Sequence, residues 1–110
     1  MSNFSAVMSY LGLAPAEAAS VLRVTEDDIV RWCNTSEAPP LHIWQGLVSM
    51  LDEIRVSAEE AAKSADLDHI EATDLNRIDL IVPGQAASDY AGPKRAATAL
   101  AVTALARVFV

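Results

Sequence analysis

Few residues in this chain are of a type and spacing suited to chemistry. His69 lies among carboxylates in residues 66–71, but a metal ion needs three or four converging ligands, which one turn seldom supplies. Cys33 is the only cysteine, and His42 has no nucleophile near it in sequence. There is no glycine-rich phosphate loop, zinc pattern or Ser-His-Asp arrangement. The sequence therefore predicts no catalytic site, no metal and no cofactor, and we do not expect an enzyme.

The densest charge lies in three consecutive carboxylates at residues 26–28, directly after Thr25. Threonine is a good helix cap, and acids in a first helical turn each contribute about 0.3–1 kcal/mol through the helix dipole. A favourable helix start is therefore the simplest interpretation of this run. An acidic binding surface is the alternative.

The composition indicates one acidic domain rich in small apolar residues. Apolar residues make up 52% of the 110 residues and aromatic residues 5%, which favours helices packed through small side chains over a β-sandwich. The formal net charge is −7 and there is no basic tail, which argues against binding the phosphate backbone of a nucleic acid through overall positive charge. The lone cysteine and the lack of a signal-like or membrane-length apolar stretch predict a cytoplasmic protein with no membrane partner.

Helix signals divide the first third of the chain into short elements. Asn3 is predicted to cap a first helix that ends at Gly12, and Pro15 to be the first residue of a second helix. Thr25 is predicted to cap a third helix. The turn-rich stretch 34–40 should end that helix.

A longer helix and a different kind of tail are expected after that turn. An apolar stripe at helical spacing covers residues 43–54 and thins to alanines, so this helix ends near Ala65 or bends around Val56. Alternating residues at about 78–82 predict a short extended segment, and the last helix should start near Pro93. The expected fold class is all-α, a bundle of five to six helices with one short extended segment and a C-terminal helix.

Residues 11–40, LGLAPAEAASVLRVTEDDIVRWCNTSEAPP, resemble the helix-turn-helix of the phage-repressor-like family, of Cro/C1 or Xre type. The residues that match the family pattern are Leu11, Leu13, Glu17, Ala18, Ala19, Leu22, Val24, Thr25, Ile29 and Trp32. The chain as a whole is similar to the YdiL-like group of small bacterial proteins. The resemblance implies a DNA-binding helix-turn-helix domain over residues 1–66 and a C-terminal extension over residues 67–110 that packs on it.

The same resemblance makes the third helix a recognition helix for the major groove of DNA. Arg31, Asn34 and Thr25 could donate hydrogen bonds to bases, whereas a carboxylate can accept from cytosine N4 but offers nothing to guanine or adenine acceptors. Arg23 stands where the family usually has a glycine with positive φ. The residues implied to contact DNA are Arg23, Thr25, Glu26, Asp27, Val30, Arg31 and Asn34.

The last helix is apolar on more than one face, which predicts a homodimer contact through Leu100, Leu105, Val108 and Phe109. One predicted function is a sequence-specific, DNA-binding transcriptional regulator whose dimer places two recognition helices on half-sites one turn of double-stranded DNA apart. The alternative is an acidic protein–protein interaction module on the same fold, such as an antirepressor, an antitoxin-like factor or a DNA mimic. Its partner would be a basic protein.

Overall fold

The structure is a computed structural model that describes residues 2–64, 67–76 and 90–110. Within these ranges the secondary structure is entirely helical, as the composition predicts. Two short 3-10 helices, Leu67–His69 and Ala72–Asn76, lie between the fourth and fifth α-helices. The extended segment predicted at about 78–82 lies outside the described residues. The α-helices are α1 (Asn3–Leu11), α2 (Pro15–Leu22), α3 (Glu26–Asn34), α4 (Leu41–Ser64) and α5 (Ala91–Ala106).

The cap of α1 is one residue earlier than predicted. Ser2, not Asn3, is the N-cap, and its Oγ accepts a hydrogen bond from the Ser5 amide at 3.1 Å. The same hydroxyl donates to the Trp32 carbonyl at 2.5 Å, and the Ser2 amide donates to the Cys33 carbonyl at 3.2 Å. These bonds join the start of α1 to the end of α3. The prediction was wrong because local cap preferences do not distinguish serine from asparagine, whereas this long-range contact does.

The end of α1 and the start of α5 meet at two glycines. Gly12 ends α1 in the left-handed conformation, with φ 61° and ψ 30°, which confirms its predicted capping role. α5 begins at Ala91, two residues before the predicted start, and the following Gly92 lies against the turn at the end of α1. A methyl group on Gly92 would lie 2.2 Å from the Leu11 carbonyl oxygen. The approach of the two backbones therefore requires a residue without a side chain.

The main apolar cluster joins the first four helices to the start of α5. Phe4 is 2% exposed and contacts both tryptophans edge-on, with its ring centroid 5.6 Å from that of Trp32 and 6.0 Å from that of Trp44. This aromatic contact ties together α1, α3 and α4. The buried members of the cluster are Phe4, Met8, Leu11, Leu13, Ala18, Ala19, Ile29, Trp32, Ile43, Leu47, Met50, Ile54, Ala96 and Ala97.

A second, smaller cluster lies further along α4 and α5. α4 has 24 residues and reaches Ser64, close to the first of its two predicted limits, and at 1.5 Å per residue it is about 36 Å long. Ala58 of α4 packs there with Ala101 and Leu105 of α5, and all three are buried. Leu105, predicted for a dimer contact, is 2% exposed. Its side chain is used within the chain and is not available to a partner.

Candidate functional site

The candidate site is built on α2 and α3, two short helices that are joined by a three-residue turn and packed against each other. Pro15 is the first residue of α2, as predicted, and Glu17 accepts a hydrogen bond from the Ala14 amide at 2.9 Å. Arg23 ends the helix in the left-handed conformation, with φ 58° and ψ 46°. The positive φ expected at this position is therefore adopted by a residue with a side chain, at some cost in backbone strain.

The start of α3 is fixed by a reciprocal pair of hydrogen bonds. The Thr25 hydroxyl accepts from the Asp28 amide at 3.1 Å, and the Asp28 carboxylate accepts from the Thr25 amide at 3.3 Å. The predicted cap at Thr25 is thus confirmed, and the third carboxylate of the acid run has a structural role. Glu26 and Asp27, the other two, are exposed in the first turn of the helix.

The two sides of α3 differ completely in burial. Ile29 and Trp32 face inward and are 1% and 5% exposed. Val30, on the outward side, is 45% exposed although it is apolar. All the residues that the resemblance assigns to DNA contact lie on the surface, namely Arg23, Thr25, Glu26, Asp27, Val30, Arg31 and Asn34. The fold therefore presents this helix face to solvent, supported from behind by the core.

Arg31 forms two ion pairs on this surface. Its Nη2 lies 2.8 Å from Asp28 Oδ1, and its Nε donates to the Glu37 carboxylate, while the Arg31 side chain remains 46% exposed. The first contact joins residues three apart on a helix, a spacing at which opposite charges meet, although the sequence analysis did not identify it. Sequence reasoning missed Glu37, which lies after the end of α3. The only cation on α3 is therefore flanked by two carboxylates.

These contacts shift two ionisation equilibria. The hydrogen bond from Arg31, together with the one from the Thr25 amide, lowers the pKa of Asp28 below its ordinary value. The hydrogen bond to Asp28, followed by the one to Glu37, raises the pKa of Arg31 further above its already high range. Burial raises the pKa of the half-buried Cys33 thiol, which keeps it protonated and a poor nucleophile.

The pKa of Asp28 predicts how acid affects folding. Because this pKa is lower in the folded than in the unfolded chain, its stabilising contribution is complete above the unfolded value of about 4 and is lost as pH falls through the folded value. We expect Asp28→Asn to unfold at lower urea concentration at neutral pH and to lose less stability than the wild type on acidification. Urea midpoints measured from pH 7 to pH 2 check this.

Asp27→Asn is the matched control for that measurement, because it removes an equal charge from the same helical turn but leaves the capping pair intact. Asp27→Asn should lose as much stability below about pH 4 as the wild type does, because Asp28 is still present. If the urea midpoints of Asp28→Asn and of the wild type fall by the same amount between pH 7 and pH 2, the acid sensitivity does not come from Asp28.

The residues predicted for a dimer contact are spread over different environments. Leu100 is half-buried and lines grooves on the surface of the molecule, and Leu105 is buried in the second cluster. Val108 and Phe109 lie beyond the end of α5 and are 58% and 41% exposed. The four residues therefore do not form one exposed surface.

The described part of the chain shows no metal centre, since it contains no group of three His, Cys, Asp or Glu side chains that could hold an ion. Among the same residues, no helix combines the length and apolar character required to cross a bilayer. The chain matches no protein-family model, no curated protein and no solved structure. Within the described ranges, the class of protein that the fold defines is all-helical.

Proposed function

We propose that the chain is a sequence-specific DNA-binding transcriptional regulator in which α2 and α3 act as a helix-turn-helix. The observation that carries the proposal is the two-sidedness of α3. On its inner side Ile29 and Trp32 are buried in the core, while the residues of its outer side are exposed to solvent. A rigidly supported helix with an exposed outer face is what insertion into a major groove requires.

The exposed side chains offer a limited set of base contacts. Arg31 can bind guanine O6 and N7, and Asn34 can bind adenine N6 and N7. Glu26 and Asp27 can accept from cytosine N4 but offer nothing to the acceptor atoms of guanine and adenine, so they would add discrimination between bases. Arg23, exposed in the turn before α3, is suited to a phosphate contact. With so few cations on this face, affinity would come from base contacts more than from bulk charge.

The ion pairs of Arg31 are compatible with this role. Exposed ion pairs contribute about 0–1 kcal/mol, because water screens them and the side chains lose freedom. A bidentate contact with the correct base is worth about 1–3 kcal/mol of discrimination. Breaking the ion pairs of Arg31 with Asp28 and Glu37 to bind a base is therefore favourable only when that base is guanine. In the free protein the two carboxylates hold the guanidinium in position.

Truncation of Arg31 tests the proposal. On a duplex that the protein itself selects from a random library, Arg31→Ala should weaken binding by about 5- to 150-fold, the equivalent of 1–3 kcal/mol. Fluorescence anisotropy at several salt concentrations measures the loss. Arg107→Ala, which removes an equal exposed charge beyond α5, should bind as the wild type does. Absence of salt-sensitive DNA binding at low ionic strength would sink the proposal.

The electrostatics of the same face favour a second candidate, the acidic protein–protein interaction module. Glu26 and Asp27 are exposed beside an arginine that Asp28 and Glu37 already neutralise. A surface with this excess of carboxylates suits a basic protein partner, as in an antirepressor, an antitoxin-like factor or a DNA mimic.

One double variant separates the two candidates. Replacing both Glu26 and Asp27 by lysine should abolish capture of a basic protein if α3 is an acidic docking face. If α3 binds DNA, the same variant should instead bind duplexes more tightly and with a steeper salt dependence, because two positive charges replace two carboxylates that repel the phosphate backbone.

A further inference from the structure

An open apolar groove lies between α1, α4 and α5, away from the candidate recognition face. Its volume is about 520 Å³, and aliphatic side chains form most of its walls, among them Val7, Leu51 and Leu100. Tyr10, which is 50% exposed, stands at its edge. Every lining residue that the structure describes lies on α1, α4 or α5. A partner bound in this groove would therefore not need to contact α2 or α3.

The charged residues of the groove form a pair of opposite sign on α4. Arg55 Nη2 lies 3.2 Å from Asp52 Oδ1, and the two side chains are 64% and 58% exposed. Such an exposed pair contributes little to the stability of its own chain. Both groups can therefore take a new partner at small cost.

The order of these residues along α4 makes the surface complementary to itself. In an antiparallel contact between two copies of α4, with the twofold axis between residues 53 and 54, Asp52 faces the partner's Arg55. The same axis places Leu51, which is half-buried, opposite the partner's Val56, which is 48% exposed. A twofold contact must pair one surface with itself, and in these two pairs acid meets base and apolar meets apolar.

We propose that this groove is a homodimer interface in which Asp52 of each chain pairs with the partner's Arg55. The contact would cover the apolar walls and Tyr10, as the core of an interface requires. A stable interface of ordinary size buries about 800 Å² on each partner, so α1 and α5 must contribute beside α4. The inference is independent of what α3 binds, because the contact leaves α3 uncovered.

A charge exchange tests the interface by sedimentation equilibrium. Asp52→Arg brings arginines together across the axis, and Arg55→Asp brings carboxylates together. Each variant alone should dimerise at least about tenfold more weakly than the wild type, because like charges then face each other. Mixed in equal amounts, the two variants should form a heterodimer, since each arginine then faces an aspartate. The chain carrying both substitutions should recover the wild-type dimer.

A charge change outside the groove serves as the control for these variants. Arg107→Asp, at an exposed site outside the groove, should leave the dimer intact, and circular dichroism confirms that each variant is folded. A wild type that stays monomeric overturns the inference and leaves the groove to another ligand. A dimer that survives both single charge changes but is lost in Phe109→Asp also overturns it, in favour of the tail. Failure of the mixture to associate overturns the pairing of Asp52 with the partner's Arg55.

Discussion

Phe4→Ala is expected to lower the free energy of unfolding by about 3–5 kcal/mol, the usual cost of deleting a buried aromatic side chain. Phe4 is 2% exposed, and its ring contacts those of Trp32 and Trp44 at interplanar angles of 79° and 84°. Edge-to-face pairs of this kind add about 0.5–1.5 kcal/mol each beyond burial. Because a domain is stable by only about 5–15 kcal/mol, a large part of its stability depends on this one ring.

Urea unfolding followed by tryptophan fluorescence measures this loss directly. Phe109→Ala is the matched control, since it deletes the same side chain where it is 41% exposed, and it should cost less than about 1 kcal/mol. Phe4→Leu, which keeps part of the apolar volume, should fall between Phe4→Ala and the wild type. A Phe4→Ala chain that unfolds at the wild-type urea concentration would show that the ring does not join the three helices.

Gly92→Ala should destabilise the protein by about 3 kcal/mol, the upper end of the usual cost of overpacking. The added methyl group would lie 2.2 Å from the Leu11 carbonyl oxygen and 2.4 Å from that of Gly12. Both are backbone atoms, which cannot rotate away as a side chain can. α5 would have to move off the end of α1, which would separate Ala96 and Ala97 from the main cluster.

Gly46→Ala provides a control of opposite sign. A Cβ at Gly46 would lie 3.6 Å from Leu22 Cδ2, an ordinary contact, and the residue is inside α4. Alanine is favoured over glycine within helices, so this variant should be about 0.5–1 kcal/mol more stable. Thermal unfolding should show the midpoint rising for Gly46→Ala and falling for Gly92→Ala. A rise for both would mean that the close approach of α1 and α5 is wrong.

Local signals in the sequence predicted the helix ends well. Gly12, Pro15 and Thr25 occupy the positions expected of them, because a cap depends on the conformation and hydrogen bonding of a few neighbouring residues. Arg23 adopts the left-handed conformation that glycine most readily takes, as expected for the turn after α2. Local signals could not show whether Ser2 or Asn3 caps α1, because the hydrogen bonds of Ser2 with α3 decide it.

Contacts between distant parts of the chain were not predictable. Nothing local to Phe4 indicates that its ring contacts two tryptophans, and nothing local to Gly92 indicates that it meets the end of α1. Arg31 and Glu37 belong to different elements, so helical spacing could not pair them. Leu105 was assigned to a partner because the apolar pattern of a helix does not say whether its own chain covers it.

The small side chains of the second cluster have a consequence for the order in which the fold opens. Ala58 and Ala101 bury little more than a methyl group each, and among the described residues Leu105 is the one large side chain fully buried with them, beside the partly buried Leu75, Leu100 and Val102. Since burial stabilises by about 0.8 kcal/mol per methylene, the two alanines stabilise this contact less than the aromatic and branched residues stabilise the main cluster. The far ends of α4 and α5 should therefore fray first, exchanging amide hydrogens with solvent while α1, α2 and α3 stay closed.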